Sequence, residues 1–233
     1  MNTNDRGFTL VELMIAMVVG MVVLGAVYAL FTAQSKHLAT QEQLAELHQN
    51  ARAAMDIMVR EISMAGYNQT SSACSSPVTA VPRCTGVTTA TNIPCVGITN
   101  AGVDTISFVA DLNANCDTTA GGGGNPSENI AYDRYHSETS PAGVYSLGRT
   151  SNGSKQPVVE YVESLDFKYY VADGEAIPAN ETTILANIRR VKITVVTRTA
   201  KEDPNYTDAT YGGHYRRYTL SSFAFPRNLA LGN

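Results

Sequence analysis

Residues 7–31 read Gly7-Phe8-Thr9-Leu10-Val11-Glu12-Leu13, then MIAMVVGMVVLGAVYALF, ending at Phe31. From Leu13 to Phe31 no residue is charged, a run of 19. A membrane-spanning helix needs about 17–25 mostly apolar residues, so this run is long enough. A cleaved secretory signal fits poorly, because its apolar core is about 7–15 residues and ends in a small-residue site. Here helix-forming sequence continues through Leu38 and Leu44. Two features exceed a plain anchor. A polar leader, Met1 to Gly7, carries Arg6 just ahead of Gly7, and Glu12 stands at the head of the apolar run. A carboxylate in hydrocarbon costs on the order of 2.5–3.5 kcal/mol, less near an interface. Such a group makes sense where it later meets a cation in a water-poor, protein-lined setting.

These residues resemble the processing site of type IV prepilins and the related pseudopilins. The resemblance implies cleavage by prepilin peptidase between Gly7 and Phe8 and N-methylation of Phe8. It also implies pairing of Glu12 with the Phe8 amine of a neighbouring subunit. The chain then divides into a leader peptide (1–7), a spine helix (8–66, transmembrane at about 13–31) and a head (67–233). The leader lies in the cytoplasm, and the head lies outside it. Arg6 before the span and only Lys36 just after it agree with that orientation. The implied partners are prepilin peptidase, the inner membrane before assembly, and other pilins, major and minor, through the helix. The implied destination is the pilus at the cell surface.

Past the membrane part, Leu44, Leu47, Ala51, Met55, Met58, Ile62 and Ala65 recur at spacings of three and four. That is one face of a helix, placed to pack on a head. Gly66 is the natural stop, since glycine readily takes the left-handed conformation at a helix end. Gly20 and Gly25 interrupt the apolar half, where small residues let helices approach closely.

Beyond the helix, strand-like alternation recurs. It is clear in Ile106 and Phe108, in Leu165, Phe167, Tyr169 and Val171, in Val191, Ile193 and Val195, and between Tyr215 and Phe225. Short polar connections such as Asp173-Gly174 suggest a mostly antiparallel sheet with one face on the long helix. The expected fold class is α+β, with a disulfide-bearing loop region between helix and sheet. Residues 67–103 read as irregular structure or short strands.

The segments REISMAGYN (60–68), VVEYVESLDFKYYV (158–171), IRRVKITVVTRT (188–199) and YRRYTLSSFAFPRNL (215–229) resemble the PilW family of minor pilins. That implies a subunit that primes assembly at or near the pilus tip. The alternatives are a minor pseudopilin of type II secretion, and a tip adhesin or DNA-contacting pilin. Cys74, Cys84, Cys95 and Cys116 would lie outside the cytoplasm, where disulfides form. No C-x-x-C pair occurs and no histidine lies between them, so zinc is poorly supported. Four cysteines allow three pairings, among them the nearest-neighbour set Cys74–Cys84 and Cys95–Cys116, and spacing does not choose.

Other sites are less complete. Asp111, Asn113, Asn115 and Asp117 resemble the start of a calcium loop. Cys116 replaces the glycine such a loop wants, and Gly122 replaces the bidentate glutamate, so a turn and no metal is the expectation. The run Gly121–Gly124 lacks the Gly-Lys ending of a phosphate loop. His37, His48, His136 and His214 are scattered without a catalytic motif, and no enzyme or cofactor is expected. Glu160 and Glu163 read as a solvated face. A net charge of −4 and a pI near 5.6 argue against a broadly basic nucleic-acid binder. Arg189, Arg190 and Lys192 could meet Arg216 and Arg217 in a small phosphate-contacting patch, but strand charges facing water are the simpler reading. The many tyrosines supply core or interface area.

Overall fold

A computed structural model describes residues 9–67, 97–110, 128–138, 140, 143–151, 153–180 and 185–229. Among the described residues one helix, α1 (Leu10–Ser63), is followed by nine strands and two short 3₁₀ turns. The chain falls into two units, Met1–Ala45 and Glu46–Asn233. The first consists, in its described part, of Thr9 and the leading portion of α1.

In the second unit the amphipathic stripe behaves as its spacing requires. Leu47, Ala51, Ala54, Met55, Met58, Ile62 and Ala65 are all buried. Burying side chains the size of Met58 or Ile62 contributes roughly 1.5–3 kcal/mol each. The helix tightens at its end, where Met64 and Ala65 donate to the carbonyls of Glu61 and Ile62 at 3.0 Å. Gly66 then takes φ +78° and donates to the Val109 carbonyl at 3.0 Å.

The strands form two antiparallel sheets where the sequence suggests one. The five-stranded sheet has the order β1 (Gly97–Ala101), β2 (Thr105–Val109), β3 (Asn129–Tyr135), β4 (Ser146–Ser151), β5 (Ser154–Glu160). The four-stranded sheet orders β7 (Ala176–Ile177), β6 (Val162–Tyr170), β8 (Arg190–Arg198) and β9 (Arg217–Ala224) in that sequence. Strands β3 to β5 escape the alternation pattern because they carry few aliphatic residues. Their buried positions include Tyr132, Ser146 and Leu147. The chain passes between sheets through a single residue, Tyr161, held at φ +60°. Its carbonyl accepts from Arg198 N at 2.9 Å, tying the crossing to β8.

Buried side chains of both sheets join the helix stripe in one core. Phe108, Ile130, Tyr132 and Leu147 come from one sheet, and Phe167, Tyr169, Val191, Ile193 and Val195 from the other. The alternation read in β2, β6 and β8 therefore does point the named residues inward. The α+β architecture, a long helix with antiparallel sheets, follows.

Candidate functional site

The start of α1 is built by two residues of the N-terminal motif. Thr9 immediately precedes the helix, and its hydroxyl oxygen accepts the Glu12 amide at 3.3 Å. The Thr9 carbonyl accepts from Leu13 N at 3.2 Å, the first bond of the helical ladder. Thr9 is thus the N-cap, and Glu12 occupies the third helical position, the two places of a capping box. A carboxylate in the first turn is favoured by the positive end of the helix dipole. The Glu12 side chain is exposed and makes no ion pair among the described residues.

The apolar run behind Glu12 is unburied throughout. Every Leu, Ile, Val, Met, Phe and Tyr between Leu10 and Phe31 is 54–74% exposed. It is long and apolar enough to cross a membrane. A continuous apolar surface of this extent marks a site for lipid or for other protein. A methyl group added at Gly20 or Gly25 would meet nothing within 4 Å, so no neighbour among the described residues requires either glycine. Each glycine costs about 1 kcal/mol relative to alanine in a helix. Close approach of another helix is the packing use such positions have.

Residues 2–28 match the prokaryotic N-terminal methylation motif, the type IV prepilin signal. The chain is type IV pilin-like at its N-terminus. Among solved structures, a type IV-like pilin from Thermus thermophilus is similar at 10% identity and a TM-score of 0.44, covering 78% of this chain and 96% of that one. No curated protein matches the sequence.

Of the residues singled out in the sequence, Glu12 lies at the capped helix start. Gly7, Phe8, the four cysteines (Cys74, Cys84, Cys95, Cys116) and the run Asp111, Asn113, Asn115, Asp117 lie outside the described residues. Among the described residues no cluster of His, Cys, Asp and Glu could hold a metal. The histidines do not converge. The His48 ring packs edge-on against Tyr218 at 4.2 Å, and His136 against Tyr145 at 5.7 Å. His214 Nδ1 lies 2.7 Å from the Tyr206 carbonyl.

The five-cation patch is dissolved by strand register. Arg190 and Arg198 end β8 at opposite sides, and Arg217 lies opposite Arg198. Eight residue steps separate those ends, about 26 Å at 3.3 Å each. The second cluster is also neutralised. Arg216 Nε and Nη2 donate to Asp203 Oδ2 at 2.9 and 2.8 Å. Arg217 pairs with Asp208 at 3.4 Å and Glu163 at 3.5 Å, and Glu163 also holds Arg198 at 3.6 Å. Glu163 is therefore an ion-pair hub and not merely a solvated charge. The bonds from Arg216, with the Asn205 amide, hold the Asp203 carboxyl below the usual range. The amides of Tyr211 and Thr210, with Arg217, do the same for Asp208.

Two site features escaped the sequence reading. Thr9 as a cap was readable in the Thr-x-x-Glu spacing. The linkage of Glu61 to Tyr132 and Arg149 had no local signal, because its members are far apart in the chain.

Proposed function

We propose that the chain is a minor pilin of a type IV pilus, similar to the PilW family, and acts as a structural subunit rather than an enzyme. Prepilin peptidase hydrolyses the Gly7–Phe8 bond, and the new Phe8 amine is methylated. The apolar half of the helix first spans the inner membrane, with the leader in the cytoplasm and residues 67–233 outside. It then leaves lipid and packs among other pilin helices. Lipid and helix bundle are similarly apolar, so this transfer needs little net driving force per residue. Partner choice rests on Glu12 meeting the Phe8 amine of a neighbour and on contacts between heads. Outside the cytoplasm, Cys74, Cys84, Cys95 and Cys116 form two disulfides.

The observation that carries this reading is an apolar helix exposed along its whole leading half, its start capped by Thr9 one residue past the Gly7–Phe8 bond. The test is mass spectrometry of sheared filaments beside the membrane fraction. A trace of chain beginning at methylated Phe8 within filaments is the expected result. A dominant amount would make it a major pilin. Processed chain confined to the membrane would make it a pseudopilin, and an intact Gly7–Phe8 bond would overturn the pilin reading.

A further inference from the structure

The outward face of the four-stranded sheet carries a second surface, separate in sequence from the N-terminal motif. Inward positions of β6 and β8 are apolar and buried, so Lys168, Tyr170, Arg190 and Lys192 point the other way. Register sets them in rows. Tyr170 lies opposite Arg190, and Lys168, Lys192 and Phe223 line up across three strands. The Arg190 guanidinium lies over the Tyr170 ring at 4.5 Å and the Phe223 ring at 5.0 Å. Phe223 and Phe225 are neighbours at 6.4 Å between ring centres, and they are 40% and 50% exposed. None of the three cations forms an ion pair among the described residues, whereas Arg198, Arg216 and Arg217 at the far end all do.

We propose that this face binds single-stranded nucleic acid, bases stacking on Phe223 and Phe225 and phosphates meeting Lys168, Arg190 and Lys192. The six side chains at its centre offer cations and π faces but no carboxylate. That suits an anion with flat apolar surfaces better than a sugar hydroxyl, which also needs acceptors. Two of the three cations are lysines, a residue depleted in protein–protein interfaces. Stacking aromatics beside a cationic track are the combination that holds unpaired strands without reading their sequence. Asp166, in the next row, and Asp173 and Glu175, in the β6–β7 turn, are the nearest acids by position. Their repulsion makes the binding modest and salt-sensitive.

The test is fluorescence anisotropy of a fluorescein-labelled oligothymidylate with the full chain in neutral detergent. Three phosphate contacts give a slope of log affinity on log salt of about −2, and Lys168→Gln with Lys192→Gln brings it to about −0.7. Phe223→Ala with Phe225→Ala weakens binding at least about tenfold, the loss expected for one stacked base. Because these side chains sit on the surface, both double variants are expected to keep the parent melting temperature, which far-UV circular dichroism checks. Absence of binding overturns the proposal. So does equal binding of a blunt duplex, or full affinity in the phenylalanine variant. Binding of phosphatidylglycerol vesicles through these residues, without binding of the oligonucleotide, would reassign the face to a membrane surface. The readout needs no processing at Gly7, so it stands or falls apart from the pilin reading.

Discussion

Tyr132 on β3 donates its phenolic hydrogen to Glu61 Oε2 on α1 across 2.6 Å, joining residues 71 positions apart. Arg149 Nε on β4 donates to the same oxygen at 2.9 Å. The Glu61 side chain is 16% exposed and that of Arg149 28%, so solvent screens the ion pair only in part. Deleting the carboxylate strands a buried phenol and a half-buried guanidinium, at about 1–3 kcal/mol for groups of this kind. Glu61→Ala is therefore expected to destabilise the head by about 2 kcal/mol and lower Tm by about 4–8 °C. Thermal unfolding of the full chain in detergent checks this. An unchanged Tm would mean that the triad is stabilising nothing.

Alkali should act through the same phenol. Burial, and then the bond to Glu61, push the Tyr132 hydroxyl well above the ordinary tyrosine range. Burial does likewise for Tyr169, whose hydroxyl donates to the Gly102 carbonyl at 2.8 Å. In the unfolded chain both ionise near pH 10. A folded-state value above the unfolded one gives stability that is complete below about pH 10 and is lost as pH rises beyond it. Denaturant midpoints should therefore fall steadily above pH 10. Tyr132→Phe should make that fall shallower, and an identical slope in the variant would refute the assignment.

The helix stop makes a prediction about one atom. A β-carbon on Gly66 would lie 2.6 Å from Leu229 Cδ2, at a residue whose φ is already +78°. The left-handed conformation costs a non-glycine residue roughly 1–2 kcal/mol, and displacing Leu229 adds to it. Gly66→Ala is expected to cost about 2–3 kcal/mol, whereas Gly143→Ala, also left-handed but with open space around it, should cost only the conformational part. Equal urea midpoints for the two variants would show that the contact with Leu229 is not tight.

What could be read in the sequence was whatever repeats locally. The stripe from Leu47 to Ala65 keeps its helical period, and Val191, Ile193 and Val195 keep period two, because each packs one face on a continuous core. Gly66 announced the helix end because few other residues adopt that backbone. By contrast, β3 to β5 place Tyr132, Ser146 and Leu147 inward among polar neighbours, so no alternation marks them. The partners of Arg190 and Arg217 depend on register. Adjacent arginines such as Arg216 and Arg217, and Arg190 nearby in type, gave no hint that β8 and β9 hold them at opposite ends. The Glu61–Tyr132 bond, across 71 positions, is a product of the fold alone.

Acid should loosen the loop between β8 and β9 before the core. Residues 199–216 are closed by Arg216 on Asp203, by the Thr199 amide on the Arg216 carbonyl at 2.9 Å, and by the Asp203 amide on the His214 carbonyl at 2.8 Å. Asp203 and Asp208 both titrate below the usual aspartate range. Depressed folded-state values give stability that is present above the unfolded value of about 3.9 and is lost as pH falls through the lower folded ones. Hydrogen exchange corrected for intrinsic rates should show the loop closed at pH 5 and opening progressively as pH falls below the unfolded aspartate value of about 3.9. Opening already at pH 5 would mean that other groups close it. Asp203→Asn should open it at neutral pH.

The two roles assigned to Glu12 can be separated. Its amide is held by the Thr9 hydroxyl at 3.3 Å, while its carboxylate makes no ion pair among the described residues. Thr9→Val removes the cap, worth about 1 kcal/mol, and should speed exchange of the Glu12 amide without altering the charge. Glu12→Gln leaves the cap acceptor on Thr9 intact and deletes the charge. If assembly depends on pairing with the Phe8 amine, Glu12→Gln and Glu12→Val should both be cut after Gly7 yet enter sheared filaments at least about tenfold less. That factor corresponds to about 1.4 kcal/mol, a modest loss for a charge pair in water-poor surroundings. Thr9→Val should enter filaments nearly as well as the parent chain. The reverse pattern, with Glu12→Gln incorporated normally and Thr9→Val excluded, would make helix initiation the purpose of the motif and leave the carboxylate without a partner.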